Sequence, residues 1–461
     1  MKRRSFGLLA GSSLVALKTG FAQAQTAPDA SLLKTTLTPF GAERAASADG
    51  SIPAWTGGVT TLPSGVSPGD YVPDLFPGEQ PVLVIDASNI AQYADRLSEG
   101  VQVMLSKYGF KINVFPTHRT AAAPQYVYDN TAKNVATAQL SGDNGRYGFT
   151  GAYGGIAFPI PDTSDPAAAG AQIMWNYVAS NWRGYAFYIY QQNWVISDGN
   201  RTLSTDGKYS ELYKYYNPNG SLQDFDGIIY KLREDYTGPS NLVGQALVVW
   251  SYTEPYQHPQ QAWELLNGQG RVRRAPEVSF DTPSTQNDGI CNYDEIYAFN
   301  GSLERYDWKF LGKKEMYIPY NNNKLFGVPA ETALLEHFVD PGLVRWELHR
   351  CWVVEATLHP GERNVDARRQ FYLDEDTWTI GLADMWDGNG NLYKTEIVYN
   401  NCRPELPGTI FSGSSIHNLQ TDDYTASSIL WNQAQKPSLK YVDYISENTF
   451  DPTNLAAQAQ Y

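Results

Sequence analysis

The sequence predicts a mainly β protein with some helix (α+β), built on one large, strongly curved antiparallel sheet. Three observations carry that expectation. The chain holds 31 Tyr and 12 Trp among plentiful Gly and Pro, and flat or β-branched side chains suit pleated surfaces. Two segments alternate apolar and charged residues over about fifteen positions, which at ~3.4 Å per residue is ~50 Å of strand, too long for a compact sandwich. Short Asp-, Gly- and Asn-rich turns then divide the C-terminal strands into a meander.

The elements follow in order. Lys2, Arg3 and Arg4 precede an apolar run from Phe6 to Ala16, and Ala22-Gln23-Ala24 is a small-residue cleavage site. Residues 1–24 therefore read as an export signal that leaves a periplasmic mature chain. Arg3-Arg4-Ser5-Phe6 resembles a twin-arginine signal, and the same residues also fit an ordinary secretory one. No later run approaches the ~18 apolar residues of a membrane span. Removing residues 1–24 takes away four basic residues and no acidic one, so the formal charge moves from −14 to −18. Such an acidic chain repels phosphate backbones, which excludes general nucleic-acid binding.

Residues 25–80, rich in Pro, Gly, Ser and Thr, read as an extended arm. Ile90, Tyr93, Ala94, Leu97, Val101, Met104 and Leu105 recur at spacings of three and four, which predicts a helix over 88–107. Further helices are predicted at 165–182 and from Pro329 to Phe338. Tyr185–Ile196, Ile228–Leu232 and Ala246–Thr253 read as strands. From Glu304 to Tyr320 the apolar face carries Tyr306, Trp308, Phe310, Met316 and Ile318, and the charged face Arg305, Asp307, Lys309, Lys313 and Glu315. Val344 to Leu358 repeats the pattern, with Trp346, Leu348, Trp352 and Val354 facing Arg345, Glu347, His349 and Glu355. Trp378–Trp386 and Leu392–Tyr399 flank a hairpin at Asp387-Gly388-Asn389-Gly390-Asn391. A principal domain over 81–400 is expected, with 401–461 wrapping its outside.

Reactive motifs are scarce. Cys291, Cys351 and Cys402 read as buried thiols, or as one disulfide and one thiol, without a catalytic role. The six histidines form no metal-ligand pattern, and no nucleophile elbow, Walker loop or dinucleotide fingerprint occurs. Asp387, Asn389 and Asn391 imitate a calcium loop, but Leu392 and Val398 stand where Gly and Glu are needed. Asp374-Glu375-Asp376 reads as a solvated turn. Glu347, His349 and Glu355 read as a wet outer face, paired across strands with Arg368, Arg369 or Lys313, so His349→Gln is expected to leave folding intact. The competing chemistry is an acid–base pair of His349 and Glu347.

Several segments resemble the family grouped as domain of unknown function 1329. They are Leu37-Thr38-Pro39-Phe40-Gly41-Ala42-Glu43-Arg44, Ile52-Pro53-Ala54-Trp55-Thr56-Gly57-Gly58, Pro116-Thr117-His118-Arg119 and Phe158-Pro159-Ile160-Pro161 with Trp175-Asn176. Arg271-Val272-Arg273-Arg274-Ala275-Pro276, Glu304-Arg305-Tyr306-Asp307-Trp308-Lys309, Glu347-Leu348-His349-Arg350 and Asp374-Glu375-Asp376-Thr377-Trp378 follow in the same order. The resemblance implies a fold similar to the periplasmic lipoprotein carriers LolA and LolB: an incomplete barrel whose concave apolar face is lidded by helices. It further implies a carrier or adaptor for a lipid- or sterol-like ligand. The partners would be an inner-membrane exporter and an outer-membrane protein. On that reading the ligand meets Trp308, Phe310, Met316, Trp346, Leu348, Trp352 and Trp378, with no cofactor, metal or catalytic residue. The alternatives are an enzyme on a lipidic or aromatic substrate, using Glu347, His349 or the 374–376 carboxylates, and a ligand-free structural adaptor.

Overall fold

The computed structural model describes residues 28–180, 184–266, 270–275, 280–434 and 439–458. The export signal at 1–24 lies outside the described residues. Eighteen strands follow in chain order: β1 Leu83–Ile85, β2 Ile112–Val114, β3 Gln139–Ser141, β4 Gly148–Thr150, β5 Ala186–Ser197, β6 Asn200–Leu212, β7 Ile228–Gly238, β8 Ala246–Tyr252, β9 Gln261–Leu265, β10 Val272–Arg274, β11 Tyr306–Pro319, β12 Trp346–Leu358, β13 Arg368–Asp374, β14 Ile380–Trp386, β15 Leu392–Arg403, β16 Gly408–Asn418, β17 Tyr424–Ile429 and β18 Leu439–Val442. Among the described residues three helices exceed two turns: α1 Glu99–Tyr108, α2 Gln125–Thr137 and α3 Pro166–Ser180.

Sixteen strands form one sheet, and β3 with β4 makes a separate ribbon. The main path runs β10, β9, β8, β7, β6, β5, β17, β16, β15, β14, β13, β12, β11, antiparallel at every step. β18 pairs with the start of β5. β2 and β1 extend the sheet beyond β12 through one parallel step, Val114 beside Trp346. Among the described residues nothing pairs β10 with β11, so the sheet remains an incomplete barrel.

Local chemistry explains the turns. Asp198 and Gly199 both adopt positive φ (50° and 73°), the backbone that a tight β5–β6 hairpin needs. At the β14–β15 turn, Asp387 Oδ1 accepts the amides of Asn389 (2.8 Å) and Asn391 (2.9 Å), so these residues close a hairpin. The N-terminal arm is irregular apart from a short turn at Ala30–Lys34, yet it is pinned to the sheet. Trp55 Nε1 donates to the Ala121 carbonyl at 2.9 Å. Beside it Gly58 has φ +72°, and a Cβ there would fall 2.1 Å from the Ala121 oxygen, so only glycine fits this crossing.

Several expectations change. The 88–107 stripe forms two short 3-10 turns, Ile90–Gln92 and Ala94–Arg96, and only then α1. Leu97 is extended, and Ser98 starts the helix by accepting the Val101 amide. Between Pro329 and Phe338 only Ala330–Ala333 is helical, because Leu334 turns extended and bridges Val339. Residues 401–429 do not wrap the outside: they complete β15 and supply β16 and β17 in mid-sheet. Wrapping begins at Leu439, where Ile445, Phe450 and Leu455 cover Ala186, Leu212 and Val248.

The largest change concerns faces. β11 has a bulge between Phe310 and Gly312, which shifts its register by one residue. Trp308 and Phe310 therefore share a face with Val354 and Ala356, whereas Met316 lies opposite His349 on the other face. Both faces are also covered. α3 packs on β11 so closely that a Cβ on Gly170 would lie 2.8 Å from the Lys309 nitrogen. α1 covers the other side, with Gly100 against Asp384 and Thr395. Strands β14 and β16 are buried almost throughout, so alternation here does not mean a wet face.

Candidate functional site

A dense ionisable cluster lies where β12 starts and β13 ends, beneath the N-terminal arm. Glu347, His349 and Cys351 alternate onto one face of β12, and Asp374 stands opposite Cys351. His349 Nδ1 is 3.0 Å from Asp374 Oδ1, and Nε2 is 3.3 Å from Glu347 Oε2. Arg345 donates to Glu347 at 2.5 Å and to Glu79 of the arm at 2.7 Å. The His118 amide donates to Glu347 at 2.7 Å. Arg119 grips Asp376 with two bonds (2.6 and 2.8 Å) and donates to the arm carbonyl of Glu43 at 2.7 Å. Glu375 meets Lys313 (2.8 Å) and Arg350 (3.2 Å).

This is neither a solvated turn nor a wet strand face. His349 is 1 % exposed, and Glu347 and Asp374 are fully buried. Of the three expected partners, only Arg368 pairs as foreseen, with Glu355 at 3.3 Å. Lys313 takes Glu375, and Arg369 faces Asp294 (3.6 Å) and Asp366 (3.7 Å). Burial would lower the His349 pKa, but Asp374 and Glu347 outweigh it and raise it to about 10. Burial would raise Glu347, but His349 and Arg345 hold it below its ordinary value. With both ring nitrogens facing carboxylates, the ring is an imidazolium that donates twice. It has no free lone pair to act as a base, so the geometry is a clasp between β12, β13 and the arm. One ligand atom from each of His349, Asp374 and Asp376 lies within 4.8 Å of the others. Arg119 already occupies Asp376, and the Thr377 amide and hydroxyl take Asp374 at 3.0 and 2.8 Å, which disfavours a second cation.

A different region offers space. A cavity of about 400 Å³ opens between Tyr256, Arg274, Phe280 and the segment from Asn300 to Glu304. At its inner end Asn300 and Gly301 also border a narrow space of about 20 Å³. That space lies between α3 and strands β6 to β8 and is walled by Tyr177, Tyr213, Tyr230, Leu232, Tyr297 and Phe299. Register places Glu211 beside Leu232, and Tyr230 beside Ser251, so the wall is one face of adjacent strands. Arg274 and Glu304 flank the mouth. Burial raises the Glu304 carboxyl above its ordinary value. The arrangement is an aromatic cleft with a polar entrance.

A family model described as "Protein of unknown function (DUF1329)" matches residues 84–456. The chain belongs to the DUF1329 family. It is 34% identical over 459 residues to the uncharacterized protein PA3922 of Pseudomonas aeruginosa, covering 96% of each chain. Among solved structures, a DUF1329 family protein from Desulfovibrio piger is 16% identical, with a TM-score of 0.43 over 63% of this chain and 99% of that one. A LolA superfamily protein from Nitrosomonas europaea is 12% identical, with a TM-score of 0.32 over 59% and 94%.

In this DUF1329 chain the seven residues expected to meet a ligand are not gathered round one cavity. Trp352 stacks on Trp378 with centroids 5.5 Å apart, and Phe310 packs on Trp352 at 5.4 Å. Trp378 Nε1 donates to the Phe40 carbonyl of the arm at 2.8 Å. Trp346 and Leu348 are buried near the start of β12, with Phe110 6.2 Å from Trp346. Met316 lies on the opposite face, beside the His349 clasp. Trp308 stands nearest the cleft, edge-on to Phe299 at 5.2 Å. Sequence reasoning passed over Tyr213, Tyr230, Tyr297 and Phe299. The alternation of Tyr209, Glu211 and Tyr213 with Tyr230, Leu232 and Glu234 is the signal that marks this DUF1329 face.

Proposed function

We propose that this protein is an extracytoplasmic carrier that holds a hydrophobic, lipid- or sterol-like molecule in the aromatic cleft beneath α3. The observation that carries the reading is that the roughly 400 Å³ cavity and the aromatic inner space share Asn300 and Gly301 in their walls. Aromatic walls that also carry Glu211 and Ser251, with Arg274 and Glu304 lining the outer cavity, suit an amphipathic guest. Phe299 and the Trp308 ring behind it form the inner stop that such a guest displaces. Trp352 and Trp378 support the cleft from the packed sheet. The carrier works with an envelope exporter and an outer-membrane protein, and its leader is removed after Ala24. The buried clasp around His349 supports a carrier over an enzyme, because the strongest acid–base candidates are committed to one another.

Native mass spectrometry of protein purified from the periplasmic fraction tests this, before and after organic extraction. A carrier shows a bound mass that extraction removes, on a chain beginning at Gln25. Tyr230→Ala should weaken rebinding of the extracted lipid while the fold persists. A chain that is never loaded and takes up no fatty acid or sterol probe refutes the carrier reading in favour of the ligand-free adaptor.

A further inference from the structure

On the opposite face of the same half-sheet lies a cavity of about 660 Å³, open to solvent, beside the C-terminal wrapping segment. Its lining is basic and hydroxylic: Lys208, Arg233 and Lys440 with Tyr188, Ser210 and Thr449, against one carboxylate, Asp235. Strand register builds this row. Lys440 of β18 lies beside Tyr188 of β5, Tyr188 beside Ser210 of β6, and Ser210 beside Arg233 of β7. Lys208 lies beside Asp235 one step along. Four neighbouring strands thus present donors to a single space.

The charge inside it is unbalanced toward the positive. Arg233 and Asp235 neutralise each other through bonds of 2.9 and 2.7 Å. Among the described residues neither Lys208 nor Lys440 forms an ion pair, and their ammonium groups have no hydrogen-bond acceptor. The Tyr188 and Ser210 hydroxyls likewise have no hydrogen-bond partner among the described residues. Elsewhere Lys107, Lys214, Lys231, Lys313 and Lys394 each meet a carboxylate, whereas Lys34, Lys111, Lys133, Lys309, Lys314 and Lys324 form no ion pair among the described residues; what sets Lys208 and Lys440 apart is that they line one cavity together. In a chain of formal charge −14 carboxylates are in excess, so two lysines left unpaired along one cavity create a local positive field. Uncommitted ammonium and hydroxyl donors in a cavity are the equipment for an oxyanion.

We propose that this cavity binds a phosphate ester, with Lys208 and Lys440 holding the phosphate and Tyr188 and Ser210 completing its hydrogen bonds. At about 660 Å³ the open cavity leaves room beside the phosphate for an organic portion. That phosphate belongs either to a soluble ester or to a phospholipid headgroup. The site lies across the sheet from the aromatic cleft and does not depend on the cleft's occupancy.

Calorimetric titration of the full mature chain with glycerol 3-phosphate, and flotation with phosphatidylcholine vesicles with and without phosphatidylglycerol, test the proposal. Binding of either probe should weaken at least tenfold in Lys208→Gln/Lys440→Gln and fall as salt rises. Lys208→Arg/Lys440→Arg should retain it, which separates lost charge from lost fold. Glycerol 3-phosphate alone binding assigns a soluble ester; phosphatidylglycerol vesicles alone binding assign a headgroup. The proposal is overturned if neither probe binds the parent chain, or if the glutamine variant binds both as the parent does.

Discussion

Replacing His349 by Gln separates a buried clasp from a wet strand face. The imidazolium bridges Asp374 and Glu347 at 3.0 and 3.3 Å, with both carboxylates fully buried. Glutamine can keep one of those hydrogen bonds but not the charge. Glu347 retains Arg345, whereas Asp374 keeps only the Thr377 amide and hydroxyl. A proton held at about 10, against 6.5 for a free imidazole, corresponds to on the order of 4–5 kcal/mol. Broken buried ion pairs cost ~3–5 kcal/mol, in agreement. Because the folded pKa is the higher one, this stabilisation is fully present below pH 6.5 and is lost as pH rises towards 10. Urea unfolding followed by tryptophan fluorescence should therefore show His349→Gln ~3–5 kcal/mol less stable at pH 6, with the gap narrowing steadily to pH 10. A variant as stable as the parent at pH 6, or a gap that does not change with pH, refutes the clasp. An exposed pair would cost under ~1 kcal/mol.

Trp378→Ala removes the ring stacked on Trp352 and the anchor of Phe40, and should cost ~3–5 kcal/mol in urea unfolding while making the arm the first site of limited proteolysis. Burial raises Glu234 from its ordinary 4.5 to about 7, so its ionisation costs stability progressively between those pH values and in full above about 7. Glu234→Gln should accordingly raise stability by ~1–3 kcal/mol at pH 8 and change little at pH 4, below the unfolded pKa; an equal effect at both pH values would contradict the assignment. Cys291, Cys351 and Cys402 are free and buried, and burial raises all three thiols. Intact mass after iodoacetamide should be unchanged for native protein and should rise by three adducts once the chain is unfolded in urea without reductant.

The strand plan was legible because its signals are local. The Asp387-Gly388-Asn389-Gly390-Asn391 turn closes its hairpin through the Asp387 side chain, and the fifteen-residue alternations became β11 and β12 with boundaries within two residues. What covers the sheet was not legible. His349 looked wet because its neighbours alternate in charge, and only the distant arm, through Glu79 and the carbonyls bound by Arg119, makes that face dry. Met316 changed faces because one extra residue near Leu311 shifts the register, and no residue pattern announced the bulge. The aromatic cleft escaped because Tyr177, Tyr213, Tyr230 and Phe299 come from four separate segments that meet only when α3 lies across β6 and β7.

The seam between β17 and β5 sets an order of assembly. Ile196 pairs with Tyr424, so the edge of β5 waits for more than two hundred further residues before it gains its long-range neighbour. Strands β5 to β10 can zip locally as they emerge, through short hairpins, but they present an open edge until the chain is almost complete. Contacts of such sequence separation close slowly. The unsealed edge of β5 is therefore the place where a nascent or truncated chain, ending before Tyr424, would pair with another chain instead of with itself.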